Sequence, residues 1–573
     1  MRRAPEASRR GSTLRHPSRR LVVLFIVLSC LLSGLAIKAL DVQVLNGRRY
    51  AAYGESELTR TVALPAVRGT VYDRAGDILA VSVPRVDVVA DDFEVNKPVI
   101  GLRQLGRLLG IPEARLRHLL SLKSGYVPLA YKVAAATEDK IRALDLPYVS
   151  FAADPLRSDP EGRLFSPVLG LVGFDGTGLS GLEYKEQHVL AGTDGSEQVA
   201  VGSTGAALPG APHLLTEAHQ GTGLVLTLDQ ALQFEVTKDL SERLSAEQAQ
   251  SGLAVVMDTR TGGILSMVDL DRLHDGKVVP ATQNLAVTAE YQPGSVMKLA
   301  TISGALQQGL VSPTTELSVP DQIMLGGWPF ADAEYHPTEQ LSVSQILAQS
   351  SNVGTIEIAH MLGPGRLYHY LRDLGFGSTT GLDWPGETAG SLGTPSTWSP
   401  SSMGTVPIGT GEAVTAMQIL DAYNAVANGG MFVPPRLIDG SVSPQGKEDL
   451  LALAHRHRVL ASSTAKKLLG MLELVTSDGT ALAARVPGYT VAGKTGTAQI
   501  PSTTGPGYQP GAWMATFVGF APATRPRLAA IVVLNRPRDM YGGVASAPVF
   551  SEIMSYALRH FDVAPPRGAP PIL

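Results

Sequence analysis

The feature that most limits how this chain can fold is an apolar run near its N-terminus. Residues 21–40 read LVVLFIVLSCLLSGLAIKAL, and the twenty residues before them carry seven arginines against one acid, Glu6. About 20 apolar residues are enough for a helix to cross the hydrocarbon core of a bilayer. Arginines before the run favour a cytoplasmic N-terminus. We therefore expect a basic cytoplasmic tail over 1–20, a single-pass plasma-membrane anchor over 21–40, and an extracytoplasmic remainder.

Two other interpretations of the run are a cleaved signal peptide and a lipoprotein signal. A cleaved signal has a shorter apolar core and small residues at its exit. Cys30 could end a lipoprotein signal, but the apolar run continues past it. An uncleaved anchor is therefore favoured. Cys30 is also the only cysteine, which excludes an internal disulfide and a cysteine-based metal site.

The rest of the chain is long enough for two or more domains, since the sequence has 573 residues. Hydrophobic residues make up 44% and charged residues 17%, which is typical of a globular protein. The net charge of −4 gives no indication of nucleic-acid binding. No cofactor or metal site is predicted.

Residues 41–222 alternate short β-rich runs with Gly and Pro breaks. Strands are predicted over 59–67 and 78–89, on either side of the turn RGTVYDRAG at 68–76. Helices are predicted over 101–122 with a break at Pro112, over 137–144, and from Gly181 onward. The segment offers no nucleophile–base pair, metal cluster or phosphate loop. It is therefore predicted to be a non-catalytic support.

A second domain is predicted over 223–563, after a stretch rich in Gly, Ala, Ser and Pro, and a Pro-rich tail over 564–573. The domain is expected to begin with a strand at 224–229 and a helix at 230–246. A hairpin of strands at 252–258 and 264–268 follows and leads toward the stretch PGSVMKLAT, which begins at Pro293.

In that stretch Ser295 and Lys298 have the spacing of a nucleophile and its base. A Pro-Gly pair precedes a run of helix formers, so Ser295 is predicted in the first turn of a helix with Lys298 on the same face. Serine needs an adjacent base, and a buried lysine can be neutral enough to act as one. The signal alone is weak, because Ser463 and Lys466 repeat the spacing in another helical stretch.

Two further polar motifs follow Ser295 in the same segment. Ser350-Ser351-Asn352 lies between helices predicted over 343–348 and 353–362, and on local sequence alone a helix cap is the favoured interpretation of it. Residues 489–499 are predicted as a strand that contains Lys494-Thr495-Gly496-Thr497. A glycine within a strand often marks close approach of another backbone or a ligand, although an ordinary strand with a surface lysine would look the same.

The order Ser-x-x-Lys, Ser-x-Asn, Lys-Thr-Gly is specific where each motif alone is not, and it favours Ser295 over Ser463. With these motifs the chain resembles a class B penicillin-binding protein, a monofunctional peptidoglycan D,D-transpeptidase. Further blocks similar to the family's are RGTVYDR at 68–74, GLE at 181–183, YQPGS at 291–295, IGTG at 408–411, ANGG at 427–430, FVGFAP at 517–522 and YGG at 541–543.

The resemblance implies an α+β fold: a transmembrane helix, a β-rich elongated pedestal over 41–222, and a transpeptidase domain with an antiparallel sheet flanked by helices and an all-helical subregion. It implies roles for eight residues. Ser295 would be the nucleophile, Lys298 its base, Ser350 a proton relay and Asn352 a holder of the substrate amide. Lys494, Thr495 and Thr497 would bind the substrate's carboxylate, Gly496 would be a further substrate-binding residue, and the N–H groups of Ser295 and Thr497 would form the oxyanion hole.

The implied activity is cross-linking of stem peptides through a serine acyl-enzyme, with β-lactams as inhibitors. Implied partners are lipid-linked precursors, a polytopic membrane glycosyltransferase and other division or elongation proteins. The size of the chain and its short tail favour division over elongation or sporulation. A D,D-carboxypeptidase or β-lactamase and a non-enzymatic β-lactam sensor or scaffold stay open as alternatives.

Overall fold

The computed structural model describes residues 17–50, 59–95, 99–200 and 214–566. Its first helix, α1, covers Pro17–Leu40 and continues into a π-helical turn over Asp41–Leu45. The span Arg19–Leu45 is long and apolar enough to cross a membrane, and none of its most apolar window is buried against the chain. A helix that exposes so much apolar surface indicates a membrane anchor. Most of the two predicted tails lies outside the described residues.

Within residues 59–95, 99–200 and 214–222, the structure describes nine strands and six short helices. The strands are β1 Thr59–Leu64, β2 Val71–Tyr72, β3 Ile78–Val83, β4 Arg85–Ala90, β5 Val127–Ala134, β6 Val149–Ala153, β7 Leu156–Ser158, β8 Gly195–Ala200 and β9 Leu214–Thr216. The helices are α2 Leu102–Leu109, α3 Glu113–Leu119, α4 Ala135–Arg142, α5 Ser166–Leu169, α6 Gly181–Lys185 and α7 Gln187–Leu190.

Proline divides two of the elements predicted here. The strand predicted over 78–89 is two strands, β3 and β4, separated by Pro84. Proline lacks the N–H that a sheet ladder needs, so the chain bends there and β4 joins a different sheet from β3. The break predicted at Pro112 is confirmed, since α2 ends before it and α3 begins after it. The strand predicted over 59–67 ends earlier, at Leu64.

A buried ion network joins the turn at 68–76 to helix α6. Arg68 Nε donates to Glu183 Oε2 at 2.6 Å, and Arg157 Nε donates to Glu183 Oε1 at 2.8 Å. Arg68 also donates to the Gln187 side chain at 2.7 Å, and Arg157 donates to the Gly69 carbonyl at 2.8 Å. These contacts satisfy both oxygens of a carboxylate that is almost fully buried, so the network fixes the turn to the helix.

The described chain from residue 223 onward forms a six-stranded main sheet, several smaller strand pairings and the helices around them. Its strands are β10 Gly223–Leu226, β11 Ser251–Asp258, β12 Ile264–Arg272, β13 Val278–Pro280, β14 Glu316–Val319, β15 Gln322–Leu325, β16 Trp328–Ala331, β17 Glu339–Ser342, β18 Met431–Phe432, β19 Ile438–Val442, β20 Glu448–Leu450, β21 His457–Arg458, β22 Ala492–Pro501, β23 Tyr508–Ala521 and β24 Leu528–Asn535. Its helices are α8 Gln230–Ala246, α9 Leu285–Thr288, α10 Lys298–Gln307, α11 Val343–Gln349, α12 Asn352–Leu362, α13 Pro364–Asp373, α14 Ser402–Thr405, α15 Ala416–Ala427, α16 Ser462–Ser477, α17 Gly542–Ala545 and α18 Ala547–His560.

The main sheet has the strand order β13-β12-β11-β24-β23-β22, and every neighbouring pair is antiparallel. Helices α8 and α18 pack together on one face, and α15 and α16 pack on the other. Helices α10 to α13 form a separate helical group that also contacts α16. The α+β architecture expected from the sequence is therefore confirmed. Strand β22 lies at the edge of the sheet and pairs only with β23 among the described strands.

The two halves of the chain share hydrogen bonds at their junction. Strand β10 pairs in parallel with β2 and antiparallel with β19, so one sheet combines strands from both halves. Asp73, in the turn between β2 and β3, accepts a hydrogen bond from the backbone N–H of Gln230 at the start of α8. The turn at 68–76 is therefore attached to the helix that covers one face of the main sheet.

The buried network predicts a large loss of stability for Glu183→Gln. The change removes the carboxylate that pairs with both buried arginines, Arg68 and Arg157, and breaking a buried pair in this way costs about 3–5 kcal/mol. The measurement is the urea midpoint of the full chain in detergent. Glu113→Gln is the control, because Glu113 pairs with Arg117 on an exposed helix face and should cost less than about 1 kcal/mol. Equal shifts for the two variants would contradict the expectation.

Candidate active site

Ser295 lies in a tight turn that precedes helix α10. The sequence placed it in the first turn of an α-helix, but Gly294–Met297 is a 3₁₀ turn and α10 begins at Lys298. Residues three apart eclipse one another in a 3₁₀ turn, so the side chains of Ser295 and Lys298 still share a side. Ser295 is partly exposed whereas Lys298 is completely buried. Solvent can thus reach part of Ser295 but not Lys298.

The turn is held by glycine and by its neighbours. Gly294 has a φ of 62°, and a Cβ there would lie 2.6 Å from the Thr497 carbonyl oxygen. Its N–H donates to the Gly409 carbonyl at 2.9 Å. Tyr423, fully buried on α15, donates its hydroxyl to the Val296 carbonyl at 2.9 Å. Only glycine fits at position 294, because any side chain would collide with the backbone of β22.

The amine of Lys298 is turned toward the loop that carries Ser350 and Asn352. Its Nζ donates to the Ser350 carbonyl at 2.5 Å, to Ser350 Oγ at 3.2 Å and to Asn352 Oδ1 at 2.8 Å. The Ser295 hydroxyl is not among these three acceptors. Lys298 is therefore the residue that links the first two motifs, because its amine contacts both Ser350 and Asn352 of the Ser-x-Asn motif.

Burial lowers the pKa of Lys298 well below its usual value, because the amine is removed from water. The charge of Lys494 lowers the pKa of Lys298 further, and the carboxylate of Asp332 opposes both effects. A lysine with a lowered pKa can be neutral near physiological pH and can then accept a proton. The environment thus favours the form of Lys298 that a general base requires.

Ser350 and Asn352 lie where helix α11 gives way to α12. Ser350 ends α11 in the left-handed region, with a φ of 62°, and the Ser351 hydroxyl caps α12 by accepting from the Gly354 N–H. The predicted helices on both sides of this motif are confirmed to within one residue. The Asn352 amide donates to the Ala331 carbonyl at 2.8 Å, which fixes its oxygen toward Lys298.

Lys494 and the threonines after it lie on edge strand β22, which begins three residues later than predicted. Lys494 is completely buried, and its Nζ donates to the carbonyl and the hydroxyl of Thr495 at 3.3 and 3.2 Å. Burial lowers the pKa of Lys494 to about 7. A Cβ at Gly496 would lie 2.7 Å from the Pro293 carbonyl, so glycine is what lets the strand approach the Ser295 turn.

The competing pair is separate from this cluster. Ser463 and Lys466 are exposed on α16 and line a surface cavity of about 510 Å³ that none of the predicted site residues lines.

Two residues that contact the cluster, Asp332 and Tyr423, were not predicted from the sequence. Each is close to the motifs only through long-range contacts, and neither belongs to a recognisable motif. Among the described residues, no group of three or more His, Cys, Asp or Glu side chains could hold a metal ion.

A partly exposed serine, a buried lysine and an edge strand that bears a second buried lysine define the class of serine acyltransferases with a lysine base. Two family models match the chain: the penicillin binding protein transpeptidase domain over residues 252–555 and the penicillin-binding protein dimerisation domain over residues 63–226. The chain therefore belongs to the penicillin-binding proteins, and its combination of these two domains is that of class B.

Curated relatives and solved structures agree with this family. The penicillin-binding protein PbpB of Mycobacterium tuberculosis is 32% identical over 100% of this chain and 89% of its own length. A probable peptidoglycan D,D-transpeptidase, PenA of Neisseria gonorrhoeae, is 31% identical over 95% of this chain and 92% of its own. The structure of penicillin binding protein 3 of M. tuberculosis in complex with aztreonam has a TM-score of 0.70 and 30% identity, and covers 89% of this chain and 99% of that one.

Replacing Lys494 by methionine should change how stability depends on pH. In the folded protein the pKa of Lys494 is about 7, whereas an unfolded lysine has a pKa of about 10.4. Between these values the unfolded chain holds the additional proton, so wild-type stability rises with pH. We expect Lys494→Met to be more stable than the wild type at pH 7, with an advantage that shrinks toward pH 10. Melting temperatures at several pH values measure this.

The control for this experiment is Lys466→Met, because Lys466 is exposed. Its difference from the wild type should stay nearly constant over the same pH range. A constant difference for Lys494→Met would contradict the lowered pKa of Lys494.

Proposed function

We propose that the protein is a membrane-anchored peptidoglycan D,D-transpeptidase that forms its acyl-enzyme on Ser295. The observation that carries the proposal is the position of Lys298, which is completely buried and contacts both Ser350 and Asn352. A buried amine with a lowered pKa, three residues after a partly exposed serine, supplies the base that a serine nucleophile needs. Relatives named as peptidoglycan D,D-transpeptidases support the reaction class.

The acylation step follows from these positions. Neutral Lys298 takes the hydroxyl proton of Ser295 as Oγ bonds to the carbonyl carbon of the penultimate D-alanine of a donor stem peptide. The bond from that carbon to the nitrogen of the terminal D-alanine breaks, and Ser350 relays the proton from Lys298 to the leaving amine, which leaves both side chains in their starting protonation states. A neutral amine has two N–H donors, so Lys298 must release one of its three acceptors to direct its lone pair at Ser295. An amine on a second stem peptide then attacks the ester and restores the serine.

Edge strand β22 would bind the donor beside the Ser295 turn. The Lys494 amine and the hydroxyls of Thr495 and Thr497 are suited to the terminal carboxylate. The N–H groups of Ser295 and Thr497 would stabilise the oxyanion, because the close packing of Gly294 against Thr497 brings the two backbones together. Gly496 is needed for that approach. β-Lactams would acylate Ser295 by the same route and leave an ester that water attacks slowly.

We extend the proposal to the cellular setting. The basic tail before α1 favours a cytoplasmic N-terminus and an extracytoplasmic catalytic domain. The chain would act on strands made from lipid-linked precursors by a polytopic glycosyltransferase, with the anchor and the segment 41–222 as the contact surfaces. Relatives include a protein named FtsI and the stage V sporulation protein D of Bacillus subtilis. A role in septal wall synthesis stays a prediction.

The test combines β-lactam labelling with product analysis on the full chain in detergent. A fluorescent penicillin should label the wild type and the control Ser463→Ala, but not Ser295→Ala. With lipid-linked precursors and a polymerising glycosyltransferase, the wild type should yield cross-linked dimers of stem peptides. Products trimmed of one D-alanine without cross-links would favour a D,D-carboxypeptidase, and labelling without turnover would favour a sensor. Labelling of Ser295→Ala would overturn the assignment of the nucleophile.

Replacing Lys298 by alanine should slow acylation far more than it weakens binding. General-base catalysis contributes roughly 10²–10⁴-fold, so the acylation rate constant should fall by that factor. Stopped-flow measurement with a chromogenic β-lactam separates that constant from the binding constant. Lys466→Ala, at the matching position of the exposed pair, should acylate as the wild type does. A near-normal rate for Lys298→Ala would show that the base is elsewhere.

A further inference from the structure

Asp332 lies at the end of a hairpin beside the Ser-x-Asn loop. Strands β15 and β16 form this hairpin, and the Asp332 N–H closes it by donating to the Asp321 carbonyl at 2.9 Å. The Asp332 side chain is only 9% exposed. Neither the sequence motifs nor the mechanism above uses this carboxylate, although a buried carboxylate beside a reacting centre needs partners to be stable.

The partners of Asp332 are concentrated on the loop that carries Ser350 and Asn352. Oδ1 accepts from the backbone N–H groups of Asn352 at 2.5 Å and Val353 at 2.9 Å. Oδ2 accepts from the Ser351 hydroxyl at 2.7 Å and lies 3.1 Å from His336 Nε2. One carboxylate therefore contacts three consecutive residues of the loop.

These contacts fix the orientation of two groups that face Lys298. The carboxylate satisfies N–H groups at the start of α12, where a negative charge is also favoured by the helix dipole. The adjacent Ala331 carbonyl holds the Asn352 amide nitrogen, so Asn352 Oδ1 is left to accept from Lys298. Ser350 is in the left-handed region, which is unfavourable for a serine unless its neighbours are fixed.

We propose that Asp332 is a positioning residue for acyl transfer, which orients Ser350 and Asn352 around Lys298 through the N-terminus of α12. The proposal rests on the function assigned above to Ser295 and Lys298. Asp332 acts on the reaction through the loop and does not touch the substrate.

The same carboxylate acts on Lys298 through its charge. Asp332 raises the pKa of Lys298 against the larger lowering effects of burial and Lys494. Asp332 also raises the pKa values of two neighbouring groups. One is His336, in the segment that follows the hairpin, and the other is Glu357 on α12, where burial is the larger cause. Removal of the charge should therefore lower the pKa of Lys298 further, so that acylation would become active at a lower pH even as it becomes slower.

The experiment measures β-lactam acylation of the full chain in detergent as a function of pH for Asp332→Asn and Asp332→Ala. Asn keeps an acceptor for the loop but loses the charge, whereas Ala loses both. We expect the acylation rate constant of Asp332→Ala to fall roughly 10²-fold, since a small misplacement of reacting groups can cost that much. The binding constant should change much less. For Asp332→Asn, the pH midpoint of acylation should move to lower pH.

Asp229→Asn is the matched control. Asp229 also caps a helix, by accepting from the Leu232 N–H at 3.0 Å, and it also lies 3.0 Å from a histidine, His560. Its helix, α8, is outside the site, so the pH midpoint of acylation should stay that of the wild type. Melting temperatures report folding, and Asp332→Asn decides the question if Asp332→Ala is unstable.

Two results would overturn the proposal: an acylation constant for Asp332→Ala within about two-fold of the wild type, or a pH midpoint for Asp332→Asn that does not move. Failure of the wild type itself to acylate would instead contradict the proposed function.

Discussion

The burial of the Lys298 amine is the constraint on which the rest of the site depends. An ammonium group removed from water is unfavourable, and this lowers the pKa of Lys298. The same amine is surrounded by three oxygen acceptors from Ser350 and Asn352. In the proposed mechanism, Lys298 is therefore neutral enough to accept a proton, and the three oxygen acceptors stabilise its charged form afterwards. Both properties arise because the loop that carries Ser350 and Asn352 contacts the start of helix α10, where Lys298 lies.

The Ser295 turn, which leads into α10, lies closer to the neighbouring backbone segments than side chains would permit. A Cβ at Gly409 would lie 2.1 Å from the Gly294 carbonyl, and those at Gly294 and Gly496 would collide with Thr497 and Pro293. The Ser295 turn is therefore packed between the Gly409 loop and strand β22 without intervening side chains. This arrangement explains why three glycines that are distant in sequence lie at one place. A substitution at any of them would displace Ser295.

The sequence could assign the motif residues to local elements because each motif is local. Ser295 with Lys298, Ser350 with Asn352, and the strand of Lys494 all have spacing that a short segment determines. The 3₁₀ turn was missed because Tyr423 and Gly409, which hold that turn, are more than a hundred residues away. Asp332 was missed for a different reason: it belongs to no motif, and its contacts with Ser351, Asn352 and Val353 form only once its hairpin has packed against the start of α12.

The junction between the two halves of the chain also connects the first half to the main sheet. Strand β10 begins the second half, yet it pairs with β2 of the first half, and the turn after β2 contacts the start of α8 through Asp73. Helix α8 packs against α18 and the main sheet, whose edge strand is β22. The turn at 68–76 is thus connected to the main sheet by hydrogen bonds and packed elements. Because Glu183 ties the same turn to α6, the buried ion network supports the first part of that connection.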